Sequence, residues 1–196
     1  MTLTASTMLA LGVEAPDFHL PDIRGRIWSL ADVEGSKGLL IMFICNHCPF
    51  VKHIQNVLVQ VCAEYQQKYI SVIAINSNDF ATYPDDSPDN MARQADRLCF
   101  TFPYLIDESQ AVAKIYHAAC TPDFFLFDAQ LKLVYRGQFD DSRPGKNIPI
   151  TGRDLRTAMD AVLAYRPIPT MQKPSMGCNI KWKPGNEPDY YFHPTD

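Results

Sequence analysis

The chain has 196 residues, 46% of them hydrophobic and 20% charged, with a formal net charge of −4. That length suits one sizeable domain with a full core, which needs neither disulfide staples nor a structural metal to hold it. The acidic balance gives no electrostatic footprint for nucleic acid or an anionic membrane, and no stretch approaches the roughly 20 apolar residues of a membrane span, so both partners are set aside.

The opening apolar run, Met8 to Val13, is short, and the first basic residue is Arg24. A secretory signal wants a basic start and a longer apolar run, so the expectation is a cytoplasmic chain starting at or near Met1. Between Gly12 and Trp28, Phe18 and Leu20 alternate with polar neighbours, and Ile23 and Ile27 flank an Arg24-Gly25 turn. This predicts a short hairpin over about 12–28. Gly38 to Ile44 is a continuous apolar run, as expected of a central strand covered on both faces. After Cys45 the period changes. Val51, Ile54, Leu58, Val61 and Tyr65 recur at spacings of three and four, which predicts an amphipathic helix ending near Tyr69. Pro49 sits in its first turn, where a missing amide hydrogen costs little.

Ile70 to Asn76 reads as a second buried strand. Residues 77–101 read as an insertion: a loop over 78–86, then a helix capped by Ser87 with Pro88 first, running to about Cys99. A strand over 102–106 and a helix over 109–119 follow. Strands over 124–128 and 131–137, joined at Ala129-Gln130, precede a last helix over 151–165. Six of the fifteen prolines fall between Pro167 and Pro194, alongside Ile180, Trp182, Tyr190, Tyr191 and Phe192. Residues 166–196 are therefore expected to form an extended arm packed on a domain of residues 1–165. The order β-α-β-α-β-α-β-β-α implies an α/β fold, a mixed central sheet with helices on both faces.

Six cysteines stand at 45, 48, 62, 99, 120 and 178, and one pair, Cys45-Asn46-His47-Cys48, is a C-x-x-C where a strand ends and a helix begins. A helix N-terminus presents free amide hydrogens and the positive end of the macrodipole, and both favour the reactive thiolate. With Cys45 at the cap and Cys48 three residues on, the two can approach closely enough for a disulfide. Cys45 is expected to be the more exposed. Cys62 and Cys99 read as packing residues, and His53 and His117 as surface or packing residues. Cys120 reads as a buried structural thiol that could also lie near Cys45. Cys178 reads as a bystander on the arm; the sharper alternative is exchange with the active pair.

APDF at 15–18, the strand running into CNHCPF at 45–50, and TPDFFLFD at 121–128 resemble the thioredoxin superfamily, within it the redoxin or AhpC/TSA-like proteins with a thioredoxin-like fold. The resemblance covers most of residues 12–165. It implies that Cys45 attacks a substrate disulfide and that Cys48 resolves the mixed disulfide. It implies a cis Pro122 after Thr121, in a loop facing the motif, with Thr121 offering its backbone to a substrate strand. Asn46, His47, Thr121 and Pro122 are the expected substrate-binding residues. The implied partners are protein disulfide or dithiol substrates and a thiol reductant, with no cofactor and no metal.

The chain departs from thioredoxins at Ile44, at Asn46-His47, and at Leu39, where they bury an Asp. General-base help in resolving the disulfide is then unassigned; His47 could partly supply it, could stabilise the Cys45 thiolate when protonated, or be merely solvated. A His between the cysteines resembles the more oxidising members, which implies a potential above thioredoxin's. A peroxiredoxin-like peroxidase is the alternative. Its P-x-x-x-[ST]-x-x-C pattern fails here: aligned on Cys48 the Pro and Ser/Thr positions hold Ile41 and Cys45, and aligned on Cys45 they hold Gly38 and Met42. A thiol-based zinc or copper site is the weaker alternative, because no second close ligand pair accompanies Cys45 and Cys48.

Overall fold

Two apolar runs become the centre of the sheet. In the computed structural model, which describes residues 3–191, the strands and α-helices in chain order are β1 (Leu3–Ala5), β2 (Leu20–Pro21), β3 (Ile27–Trp28), β4 (Gly38–Phe43), α1 (Pro49–Gln66), β5 (Ile70–Asn76), α2 (Pro88–Leu98), β6 (Tyr104–Ile106), α3 (Ala111–Ile115), β7 (Cys120–Thr121), β8 (Asp123–Asp128), β9 (Leu133–Gly137), α4 (Arg153–Leu163) and β10 (Met176–Asn179). Phe192 and Pro194 of the arm, and the Met1 start, lie outside the described residues. The main sheet runs β6-β5-β4-β8-β9, with β4, β5 and β6 parallel and β8 and β9 antiparallel. The fold is thioredoxin-like.

The pleat of β4 splits the core in two, since successive side chains point to opposite faces. Leu40 and Met42 pack with α1 and α4 through Leu58, Val61, Leu155 and Met159. Leu39, Ile41 and Phe43 pack on the other face with Val112, Tyr116, the N-terminal segment and Trp182 from the arm. Every residue of β4 is buried, so its burial on both faces stabilises the sheet by roughly 1.5–3 kcal/mol per large side chain.

A smaller three-stranded sheet, ordered β1-β10-β7, brings the arm to the motif. Cys178 pairs with Thr121 and Asn179 with Cys120. Gly177 permits this seating: a Cβ there would lie 2.0 Å from the carbonyl oxygen of Thr121. Further along, Ile180 and Trp182 enter the second core, and the Tyr190 hydroxyl donates to the carbonyls of Ala113 and Ala118.

Four expectations are corrected. The helix cap is Cys48, not Cys45. The residue before a proline is pushed out of the helical region, and Cys48 accordingly has φ −63° and ψ 123° ahead of Pro49. The helix expected over 109–119 shrinks to α3, bounded by left-handed Gln110 and His117 at φ 64° and 52°. The turn between β8 and β9 widens because the Asp128 carboxylate accepts the amides of Gln130 and Lys132, with Leu131 left-handed. Cys99 is exposed at the end of α2, not packed.

Candidate active site

Cys45 and Cys48 lie on the short connection between β4 and α1. Because Cys48 caps the helix, the two thiols are not neighbours within a helical turn. They still lie within hydrogen-bonding reach of each other, and both face Thr121, which the chain delivers from the opposite side. The Thr121-Pro122 bond is cis. Cys45 Sγ lies 3.3 Å from Thr121 Oγ1, and Cys48 Sγ lies 3.1 Å from the Thr121 carbonyl oxygen. The expectation of an exposed Cys45 fails: Cys45 is 1% exposed and Cys48 0%. The paired edge of Thr121 is occupied by β10 and so is not open to an incoming strand.

The structure also brings Asn46 and His47 to this site, under a turn at 83–86. The buried carboxyl of Asp86 takes three bonds of 2.7 Å: the Asn46 amide on Oδ1, and the Asn78 side-chain amide and His47 Nδ1 on Oδ2. The Asn46 side chain donates to the Asp85 carbonyl. Tyr83 stacks on the His47 ring at 5.5 Å between centroids. From beneath, the Tyr104 hydroxyl reaches the Ile44 carbonyl and Asn46 Oδ1. Asp86 thus supplies a buried acid at the motif, although the β4 position where thioredoxins carry one holds Leu39.

A third thiol completes the cluster. Cys178, on β10, is within hydrogen-bonding reach of Cys48. The Thr121 carbonyl favours a protonated Cys48. Against it, the Cys178 and Cys45 thiols and the Val51 amide all favour the thiolate, and they bring Cys48 well below the ordinary thiol range. Burial, reinforced by Cys48 and Asp86, pushes Cys45 up, and the bond to Cys48 pushes Cys178 up. Cys120, fully buried, turns toward the Pro122 carbonyl, and Cys62 lies on the core face of α1. His53 sits half-buried on α1, and exposed His117 stacks on Tyr190, so neither joins the site.

One group among the described residues has metal-ligand geometry. Sγ of Cys45, a ring nitrogen of His47 and a carboxylate oxygen of Asp86 lie within 4.8 Å of one another. Both nitrogen and carboxylate are already bonded to each other.

Sequence reasoning missed Asp86, Asn78, Tyr83 and Tyr104, and it ranked Cys178 as a bystander. The acidic pair Asp85-Asp86 ahead of the Ser87-Pro88 helix start was the visible sign, but nothing local tied it to a motif 40 residues earlier.

The chain resembles proteins of known structure over nearly its whole length. A conserved protein from Geobacillus kaustophilus is 55% identical, with a TM-score of 0.92, covering 94% of this chain and 98% of that one. A hypothetical protein from Sinorhizobium meliloti is 48% identical, with a TM-score of 0.91, covering 93% and 100%. The thiol-disulfide oxidoreductase ResA of Geobacillus thermodenitrificans is 29% identical over 130 residues, 66% of this chain and 70% of its own. The AhpC/TSA family model matches residues 11–136. With a C-x-x-C beside a cis proline on a thioredoxin-like fold, the chain is an oxidoreductase of the thioredoxin superfamily and belongs to the AhpC/TSA family.

Proposed function

We propose that the protein exchanges disulfides with protein or small-thiol substrates through Cys45 and Cys48. The observation that carries this reading is the convergence of the two thiols on Thr121, at 3.3 and 3.1 Å, beside the cis Pro122. Cys45 gives up its proton and attacks a substrate disulfide as the thiolate. The first substrate sulfur leaves as a thiolate and takes that proton up. Cys48 then gives up its own proton, attacks Cys45 Sγ, forms the Cys45–Cys48 disulfide and releases the second substrate sulfur, which takes that proton. The reverse sequence oxidises a dithiol.

The attacking role of Cys45 is supported by what covers each sulfur. Cys48 is enclosed between Thr121 and β10, whereas Cys45 lies by the bonds that Asn46 makes to Asp86 and to the Asp85 carbonyl in the 83–86 turn, a wall held through side chains. Asn46 and His47 form the part of the site that a substrate meets when this turn opens. Trapping in a lysate tests the roles. Cys48→Ser accumulates covalent mixed disulfides that reductant releases, and Cys45→Ser does not; equal trapping by both overturns the assignment.

A further inference from the structure

The proposed exchange leaves one thiol at the site without a task. Cys178 is 3% exposed, so it is no free end of a mobile arm. Its strand is ladder-bonded on both sides, to β1 through Leu3 and to β7 through Thr121. Gly177 lets that strand lie flush on the Thr121 carbonyl, the same oxygen that Cys48 Sγ touches. The register thus sets the Cys178 thiol against Cys48, and α1 packs directly on β10. Three residues along, the buried Lys181 ammonium is anchored by the backbone and side-chain oxygens of Asn179. It places a fixed positive charge near Cys178, which favours the thiolate there.

We infer that Cys178 is a third redox-active cysteine, which takes the disulfide from the Cys45–Cys48 pair by attacking Cys48. The inference rests on the proposed exchange, since the substrate disulfide that oxidises the pair is the only oxidant required. The Cys178 thiolate attacks Cys48 Sγ. The Cys45–Cys48 bond breaks, a Cys48–Cys178 bond forms, and Cys45 leaves as a thiolate that takes the proton Cys178 gave up. No electron enters or leaves; the disulfide moves within the protein. Two states of different reactivity result. With the bond at Cys45–Cys48 the protein passes on a disulfide. With the bond at Cys48–Cys178 it presents Cys45 as a single thiol with its resolving partner engaged, and a mixed disulfide formed there persists. Cys120, turned toward Pro122, stays outside the relay.

Disulfide mapping tests this directly. The full chain is equilibrated in oxidised glutathione, quenched in acid, alkylated and digested with trypsin. Cleavage at Lys37 and Lys52 keeps Cys45 and Cys48 on one peptide, so their bond is internal to it, whereas a Cys48–Cys178 bond joins two peptides. The wild type gives both species, and Cys178→Ser loses the joined one completely. Cys45→Ser, treated likewise, gives only the joined species and loses two alkylatable thiols. If the wild type forms the internal bond but neither it nor Cys45→Ser forms the joined species, or if Cys178 is found joined to Cys120 alone, the relay is overturned and the Cys45–Cys48 exchange stands. A wild type that forms only the joined species retains the Cys48–Cys178 bond and overturns the exchange. Because the wild type reports by itself, a poorly folding Cys45 variant does not leave the question open.

Discussion

Two walls enclose the motif, and they are built differently. The 83–86 turn holds the Cys45 side through side chains: the three bonds to Asp86 and the stack of Tyr83 on His47. The arm holds the Cys48 side through backbone, with β10 laddered to β7. A side-chain wall opens by breaking a few polar contacts, while a backbone wall opens only by unzipping a strand. On the proposed exchange, the difference assigns the substrate entrance to the turn and leaves the arm as a fixed internal neighbour of Cys48.

Removing the centre of the side-chain wall has the largest expected effect. Asp86→Ala strands three donors, two of them buried, and the loss is about 3–5 kcal/mol in urea unfolding, with Asp86→Asn costing less. A loss under about 1 kcal/mol would show that water replaces Asp86 freely and that the turn is not held as described. The backbone wall hides a different acid. Asp123, next to the cis proline, is fully buried, and burial pushes its pKa up from 3.8 to about 7. The folded protein then holds this proton between those values while the unfolded chain has released it. Stability is therefore fully present below about pH 4, falls as pH rises towards about 7, and is level above. The fall is on the order of 2–4 kcal/mol, and Asp123→Asn removes it. Parallel stability curves for wild type and variant across pH 4–8 contradict this account. Gly177→Ala comes next. Its Cβ meets the Thr121 carbonyl at 2.0 Å, so β10 must shift, at a cost of about 1–3 kcal/mol. An unchanged Tm means that β10 is seated less tightly than the register requires.

The two walls also differ in how far the sequence revealed them. The strands and helices that carry the motif were legible because periodicity is local: the apolar run at 38–44 and the three-and-four spacing after Val51 need no partner to be read. Thr121 and Pro122 were placed at the site by resemblance, since a proline's isomer is not written in its neighbours. Asp86 and Cys178 were not legible. Each reaches the motif through a pairing between distant segments, and a single sequence records the residues but not the register. Even the cap was misread by three residues, because the helical spacing of Cys45 and Cys48 was weighed above the restriction that Pro49 places on Cys48.

The smallest expected effect bears on whether the walls act together. They are joined by hydrogen bonds from the Asp79 amide to the Lys181 carbonyl and from the Lys181 amide to Asn78 Oδ1. Across that seam the Lys181 ammonium lies 5.8 Å from the Tyr83 ring, which also stacks on His47. Tyr83 is 37% exposed, so its truncation leaves no sealed cavity, and Tyr83→Ala costs only about 0.5–1.5 kcal/mol. Its larger consequence is on access. With the stack gone, His47 and the turn open more often, and Cys45 is alkylated by iodoacetamide several-fold faster, while Cys178 is unaffected because the ladder holding it is untouched. Mass spectrometry of timed alkylation reads both rates in one sample. Equal acceleration at the two cysteines would mean that the walls open as one unit, and the division between a side-chain entrance and a backbone partner would not hold.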